Sequence, residues 1–340
     1  MTDPLGMTLS RFVHEREREH PGARGELSDL LDVIGLAGRV IAASVRRAGL
    51  GDVLGLAGAT NVQGEAVKKL DVIANDALLA ALSDGRRACL VASEENDDVV
   101  VPGDGAPLGS YCVAFDPLDG SGNVDTSMPT GTIFAVYRRA SAPGTRPDRS
   151  ELLRRGSEQV AAGYILYGSS TMLVYACDDG AHGFTLDPLV GTWLSTHPDI
   201  RIPTRGPVLS ANTGNRAYWH PAVRRHVAAL EDVDAAKGRP MRQRHAGALV
   251  ADMHRVLLEG GLFMYPADTK DAGKPHGKLR LLYECAPMAH VVEQAGGAAT
   301  DGRRRLLDVP VETLHQRSPI FAGSREDVEE ATAAASEDPA

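Results

Sequence analysis

Tyr111-Cys112-Val113-Ala114-Phe115-Asp116-Pro117-Leu118-Asp119-Gly120-Ser121-Gly122-Asn123 is the stretch whose reading decides the fold. The apolar run at its start reads as a strand, and the Pro, Asp and Gly residues after it are turn chemistry. Pro117 cannot donate to a ladder and restricts Asp116 to an extended conformation. The strand is therefore expected to stop at Phe115, and the chain to turn and bring Asp116 and Asp119 to one cavity. Two carboxylates at a strand end suit a cation. The small residues Gly120, Ser121 and Gly122 let the backbone approach an anion and offer N–H groups as a phosphate cradle. The same residues also suit a sharp polar turn in which Asp is only a turn former, so both readings stand on these residues alone.

Working outward, Glu94-Glu95 follows an apolar run at residues 88–92 and brings a second pair of acids to a strand end, a favoured place for sites in α/β sheets. Asn96, Asp97 and Asp98 continue the acidic stretch, which equally fits a solvated loop, and Asp71 equally fits an exposed helix position. If Asp71, Glu94, Glu95, Asp116 and Asp119 converge, their repulsion calls for cations. Mg²⁺, which takes oxygen ligands and fills its shell with phosphate oxygens and water, is the natural one.

Apolar residues at Leu31, Ile34, Ala37, Ile41, Val45 and Ala48 predict a helix over residues 28–48, and Val67, Leu70, Ala74, Ala77 and Ala81 predict another over 65–82. Strands are expected at residues 131–137, 160–166, 171–176 and 183–186. The Arg-, Pro-, Gly- and Ser-rich residues 141–157 read as an exposed, mobile loop. Beyond Pro207 come a strand at 208–211, helices near 221–230 and 248–258, a strand at 262–265, and a helical pattern at 278–294 that Pro287 should bend. Residues 1–206 and 207–330 are read as two domains, and 331–340 as a disordered tail.

The chain has 340 residues, 43% hydrophobic and 24% charged, the balance of an ordinary globular protein. Its formal net charge of −9 disfavours nucleic acid as a partner. No stretch is apolar enough to span a membrane, and the N-terminus has no basic segment that would suggest export. The four widely spaced cysteines, Cys89, Cys112, Cys177 and Cys285, read as thiols in a reducing compartment, the cytoplasm.

Asp116-Pro117-Leu118-Asp119-Gly120-Ser121, preceded by Glu94-Glu95, resembles the signature of the lithium-sensitive sugar and inositol phosphatase superfamily. More narrowly, three further blocks resemble class I fructose-1,6-bisphosphatases. These are Thr60-Asn61-Val62-Gln63-Gly64 with Lys68-Lys69-Leu70-Asp71-Val72, then Gly163-Tyr164 with Leu166-Tyr167-Gly168-Ser169, and Gly277-Lys278-Leu279-Arg280-Leu281-Leu282-Tyr283-Glu284-Cys285-Ala286-Pro287-Met288-Ala289. The similarity runs from about residue 9 to about residue 328.

The resemblance implies an α/β fold, a layered α-β-α-β-α sandwich with mixed sheets, with a regulatory N-terminal half, a catalytic C-terminal half and assembly as a homotetramer. It implies hydrolysis of the 1-phosphate of D-fructose 1,6-bisphosphate by metal-activated water, in gluconeogenesis. Two or more Mg²⁺ per subunit would serve, with Mn²⁺ able to substitute. The implied metal ligands are Glu94, Glu95, Asp116, Asp119, Glu284 and the carbonyl of Leu118, and the implied catalytic residues are Asp71 and Glu95. Asp119, Gly120, Ser121 and Gly122 would hold the 1-phosphate. Asn212, Arg244, His245, Tyr265 and Lys278 would hold the sugar and 6-phosphate, with Arg244 reaching in from a neighbouring subunit. An AMP site is implied at Glu26, Leu27, Ser28, Tyr111 and Arg138.

Some positions depart from the family pattern. Glu65 stands for an Asp, Gly122 for a Ser, Asn215 and His245 for Tyr, and Ser110 for a Lys at the AMP site, beside the divergent Ala23-Arg24. His245 keeps a polar group there but adds pH dependence near neutrality. Residues 141–157 hold no cysteine, so the redox insertion of chloroplast relatives is missing. The rival readings are a sedoheptulose-1,7-bisphosphatase or dual enzyme, an inositol or nucleotide phosphatase, and a non-catalytic divalent-binding regulatory module.

Overall fold

Runs of branched and aromatic side chains build the larger of two mixed sheets in the computed structural model, which describes residues 6–18, 25–50, 55–60, 66–83, 87–103, 108–142, 144–271 and 276–337. A short antiparallel pair, β1 (Leu56–Thr60) and β2 (Ala66–Lys68), precedes it. The large sheet runs in chain order through β3 (Ala88–Ser93), β4 (Tyr111–Asp119), β5 (Thr130–Arg138), β6 (Gln159–Tyr167), β7 (Thr171–Cys177), β8 (Gly180–Asp187) and β9 (Thr192–Ile200). β3 and β4 are parallel, and every later pair is antiparallel. The second sheet has the order β11 (Arg242–Gln243), β10 (Val208–Ser210), β12 (Gly261–Tyr265), β14 (Ile320–Gly323), β13 (Ala298–Thr300). Its β10 is parallel to both neighbours, and β12, β14 and β13 alternate in direction.

Helices cover both sheets. α1 (Leu9–Glu17), α2 (Glu26–Arg46) and α3 (Lys69–Leu82) bury Phe12, Leu31, Ile34, Ile41 and Leu78 against Val113, Phe115, Phe134, Val136 and Ile165 on one face of the large sheet. Its other face offers Cys112, Ala114, Ile133, Ala135 and Tyr164 to α5 (Leu249–Glu259) and α6 (Ala286–Gln294), which also meet Phe263, Ile320 and Ala322 of the second sheet. Beyond that sheet, α4 (Pro221–Glu231) and α7 (Arg325–Ala335) pack Val227, Leu230 and Val328 on Leu209, Leu262 and Phe321. The result is the α-β-α-β-α sandwich the sequence led us to expect. Covering both faces explains why residues 130–137 are buried without alternation.

Close approach fixes the first helical layer. α2 starts with Glu26 and Asp29 in its first turn, which complement the helix dipole. It then comes down on the sheet through Gly35 and Gly38: a Cβ on Gly38 would lie 2.3 Å from Ile165 Cδ1, and Gly35 O accepts the Trp193 indole N–H at 3.0 Å. Within the sheet, Gly163 leaves room for the Val174 carbonyl oxygen and the Phe134 ring, which would stand 2.4 and 2.5 Å from an added Cβ.

Four expectations need correction. β4 does not stop at Phe115 but continues through Asp116-Pro117 to Asp119, with an irregular register against β5 between Asp116 and Asp119. The irregularity absorbs the missing Pro117 N–H. Residues 141–157 are not a free loop, since buried Glu151 accepts the N–H groups of Ala140 and Ser141 at 2.7 and 2.9 Å and Leu152 is fully buried. The pattern expected as one helix over 278–294 is split: a π-helical turn at Leu281–Cys285 runs into α6, with Pro287 in the first turn of α6. The tail expected over 331–340 is helical through Ala335, and Ala331 is buried against the second sheet. The loop block at 61–64, Glu65, and Ala23-Arg24 lie outside the described residues.

Replacing Gly163 with Ala should lower the unfolding free energy by about 1–3 kcal/mol, because the collision is with backbone as well as a ring. Urea denaturation of the two proteins measures it, and equal midpoints would contradict this account of the packing.

Candidate active site

The register of β3 against β4 brings the acids together. Ser93 pairs with Phe115, and the Glu94 N–H donates to Phe115 O at 3.0 Å, so Glu94 leaves one strand where Asp116 continues the next. Asp116 Oδ1 accepts the Leu118 N–H at 2.9 Å, and the Thr132 hydroxyl donates to Pro117 O at 2.9 Å, which fixes the irregular strand end. Asp119 Oδ2 accepts the Val250 N–H of α5 at 2.7 Å. Glu284 arrives on the π-helical turn, and its Oε2 accepts the Arg280 N–H at 2.6 Å. Ligand atoms of Asp116, Asp119 and Glu284 lie within 4.8 Å of one another, and all three residues are buried.

Among the described residues, Arg280 is the one buried cation facing this group. Its Nη1 lies 2.8 Å from Glu94 Oε1, with both side chains under 10% exposed. In the sequence Arg280 stands out only as part of the block from Gly277 to Ala289. The signal was a lone charge between Leu279 and Leu281, four residues before Glu284.

One cation does not neutralise four buried carboxylates. Two ionised carboxylates about 5 Å apart repel by roughly 3 kcal/mol at an effective dielectric of about 20, and burial adds to the cost of each charge. Burial, then Glu94, Glu284 and Asp119, push the Asp116 carboxyl well above the ordinary range. Burial raises Asp119 to about 6 against the opposing Val250 and Leu249 N–H groups. Burial and the Glu94 charge raise Glu284 to about 8. Asp71, buried on α3 with Oδ2 accepting the Lys68 N–H at 2.8 Å, is raised to about 6, chiefly by burial. All donors in the cluster are hard oxygens, the chemistry a small divalent cation takes.

The cluster opens into a cavity of about 270 Å³. Glu94, Glu95, Asp116, Leu118, Asp119 and Glu284 line it, together with Gly120, Ser121 and Gly122, and with Asn212, His245, Tyr265 and Lys278 from the second half of the chain. Gly120 has φ 73°, and a Cβ there would meet Ala248 Cβ at 2.4 Å, so only glycine lets the turn lie against the start of α5. The Asn123 amide donates to Pro129 O and Ala246 O, both at 3.0 Å, tying the turn to the 245–247 segment.

Three expected residues stand apart from the cavity lining. Asp71 feels the Glu94 charge and a Ser121 hydrogen bond but does not line the cavity. Arg244 is exposed, with Nη1 donating to Gln243 O at 2.8 Å. Asn215 accepts from Lys270 Nζ at 3.1 Å outside the cavity lining.

A larger cavity of about 760 Å³ is lined by the residues expected for AMP, Glu26, Leu27, Ser28, Tyr111 and Arg138. Glu17, which sequence reading passed over, sits at the start of α2: one carboxylate oxygen accepts the Gly25 N–H, and the other accepts the Ser28 hydroxyl at 2.9 Å.

A cluster of oxygen donors beside a glycine-rich turn is the construction of a divalent-metal-dependent phosphatase, and the comparisons agree. Residues 7–198 match the family model of the fructose-1-6-bisphosphatase N-terminal domain, and residues 202–336 that of the C-terminal domain. The class 1 fructose-1,6-bisphosphatase of Maridesulfovibrio salexigens is 49% identical, covering 97% of this chain and 97% of its own. That of Chlorobium phaeovibrioides is 46% identical over 95% and 96%. The crystal structure of Leishmania major fructose-1,6-bisphosphatase in holo form superposes with a TM-score of 0.89 at 38% identity, covering 97% of this chain and 99% of that one. This chain belongs to the class 1 fructose-1,6-bisphosphatase family.

The raised carboxyls fix the sign of a pH effect. A carboxyl whose folded pKa exceeds its unfolded value near 4 favours folding at low pH and loses that contribution as pH rises through the folded pKa. The metal-free protein should therefore melt at progressively lower temperature as pH rises from about 5 to about 8.5. Mg²⁺ should restore more stability at the upper end than at the lower, with proton release on binding. Calorimetric melting with EDTA or Mg²⁺ tests this, and a metal-free melting temperature that climbs across the interval would contradict it.

Proposed function

We propose that the chain hydrolyses D-fructose 1,6-bisphosphate at its 1-phosphate, releasing fructose 6-phosphate and inorganic phosphate. The observation that carries this reading is the meeting of Glu94, Asp116, Asp119 and Glu284 beside the Gly120-Ser121-Gly122 turn, in a chain so similar to enzymes of that name. Magnesium held by these carboxylates and the Leu118 carbonyl would polarise the phosphoryl group and lower the pKa of the attacking water.

The chain's own residues do the rest. Buried Asp116, Asp119 and Glu284 with Arg280 form the acidic end of the cavity. The backbone N–H groups of residues 120–122 meet the 1-phosphate oxygens. Glu95, half-buried just past β3 and in the cavity lining, is the base placed to take a proton from water, and Asp71, raised to about 6 but outside that lining, is the second candidate. Tyr265, Lys278, Asn212 and His245 hold the sugar and the second phosphate, Lys278 as a fixed positive charge.

Arg244 lies outside its own cavity, which supports a role in a neighbouring subunit's site and assembly as a homotetramer. Exposed Leu36 and Val40 on α2, beside the turn bearing Leu189 and Val190, offer an apolar face for such contacts, and Arg39 Nη1 ties the two to each other by donating to Gly191 O at 2.7 Å. No described helix is long and apolar enough to cross a membrane. The four free thiols support a reducing compartment, the cytoplasm.

Phosphate release from fructose 1,6-bisphosphate should require Mg²⁺, and Glu95→Gln should lower kcat by about a hundredfold or more. Near-native turnover in that variant would remove Glu95 from the mechanism. Absence of magnesium-dependent phosphate release from the unaltered chain would remove the function itself.

A further inference from the structure

β3 ends at Ser93, so Glu95 stands in a turn, beyond the ladder that fixes the strand. Asn96 after it is half-buried, and Asp97 and Asp98 are exposed. A base acts on water only from a fixed position, and here the fixing groups come from two other parts of the chain.

Asn75 supplies the first tie. It is half-buried on α3, one turn after Asp71, and its Oδ1 accepts the hydroxyl of buried Ser93 at 2.6 Å. Having given that bond its only proton, Ser93 Oγ is left as an acceptor, and it takes the Glu95 N–H at 3.2 Å. The other end of the same amide, Asn75 Nδ2, donates to Asn96 Oδ1 at 3.2 Å. One side chain of α3 thus grips the turn on both sides of Glu95.

His315 supplies the second. Its Nε2 lies 3.0 Å from Asn96 O, and because a carbonyl only accepts, Nε2 is a protonated ring nitrogen. Fully buried Tyr283 packs on the imidazole with ring centroids 5.4 Å apart, and Tyr283 directly precedes Glu284 on the π-helical turn. Neither Asn75 nor His315 lines the cavity, so an effect of either on the reaction must pass through the turn.

Resting on the reading of Glu95 as the base, we infer that Asn75 and His315 are positioning residues for the hydrolysis. Together they hold the turn Glu94-Glu95-Asn96 so that the Glu95 carboxylate meets the attacking water. They also tie its placement to the segments that carry Asp71 and Glu284.

The test is a cycle of variants at saturating Mg²⁺. Asn75→Ala should lower kcat about tenfold and leave KM for fructose 1,6-bisphosphate within about twofold. In a Glu95→Gln background the same change should cost less than about twofold, because the group it positions is already gone. An equal loss in both backgrounds means a general loosening of the site and overturns the inference, and so does native kcat in the single variant. His315→Ala, which cuts the other tie, should behave in the same way and takes the place of Asn75→Ala if that protein does not fold.

Backbone amide exchange followed by mass spectrometry needs no turnover. Residues 94–99 should exchange at least about fivefold faster in Asn75→Ala, while residues 111–119 of β4 keep their protection. Unchanged exchange at 94–99 overturns the inference even if the enzyme is fully active. Faster exchange there in a protein that releases no phosphate from fructose 1,6-bisphosphate would sink the functional reading and leave the hold on the turn standing.

Discussion

Crowding of like charge at the end of β4 is the constraint around which the molecule is arranged. Asp116, Asp119 and Glu284 are buried within 4.8 Å of one another, with Glu94 close enough to raise the pKa of all three. Such a group survives in a fold only if something fixes each carboxylate and part of the charge is neutralised. The backbone does the first through the N–H groups of Leu118, Val250 and Arg280. Arg280 does part of the second, protons a further part, and cations would complete it.

That constraint makes the two halves of the chain inseparable. Glu94, Asp116 and Asp119 come from the large sheet, while Glu284, Arg280 and the Val250 N–H come from segments beneath it that also contact the second sheet. The π-helical turn between Arg280 and Ala286 widens the helix just where Glu284 must point into the cavity, consistent with the tendency of such turns to occur at functional sites. α6 follows it directly, with Pro287 in its first turn. Asn123 bridges the same interface from the other direction through Ala246 O. A change in how the sheets pack would thus be felt first in the distances among carboxylates.

Much of this could be read along the chain. The stripe Leu31, Ile34, Ala37, Ile41 is the buried face of α2, and the apolar runs at 131–137, 160–166 and 171–176 are strands within a residue or two. What misled was local chemistry overridden by packing. Pro117 reads as a strand end, yet the strand carries on, because an irregular register spares the ladder the missing donor. Residues 141–157 read as loose, yet buried Glu151 ties them down. β9, β13, β14 and α7 escaped notice because their sequences are short, polar or mixed, and become elements only by pairing with neighbours already in place.

The order of residues by itself determined that the chain alternates strands and helices, that acids cluster after strand-like runs, and which family it resembles, because periodicity and short motifs are local properties of the chain. Only the tertiary structure decided that Arg280 faces Glu94, that Glu17 occupies the start of α2, that Asp252 backs His245, and that Arg244 stands outside its own cavity. Those are pairings across 7 to 186 residues, or choices between facing inward and outward. Burial and long-range contact set them, and neither is written in the spacing of side chains along a strand or helix.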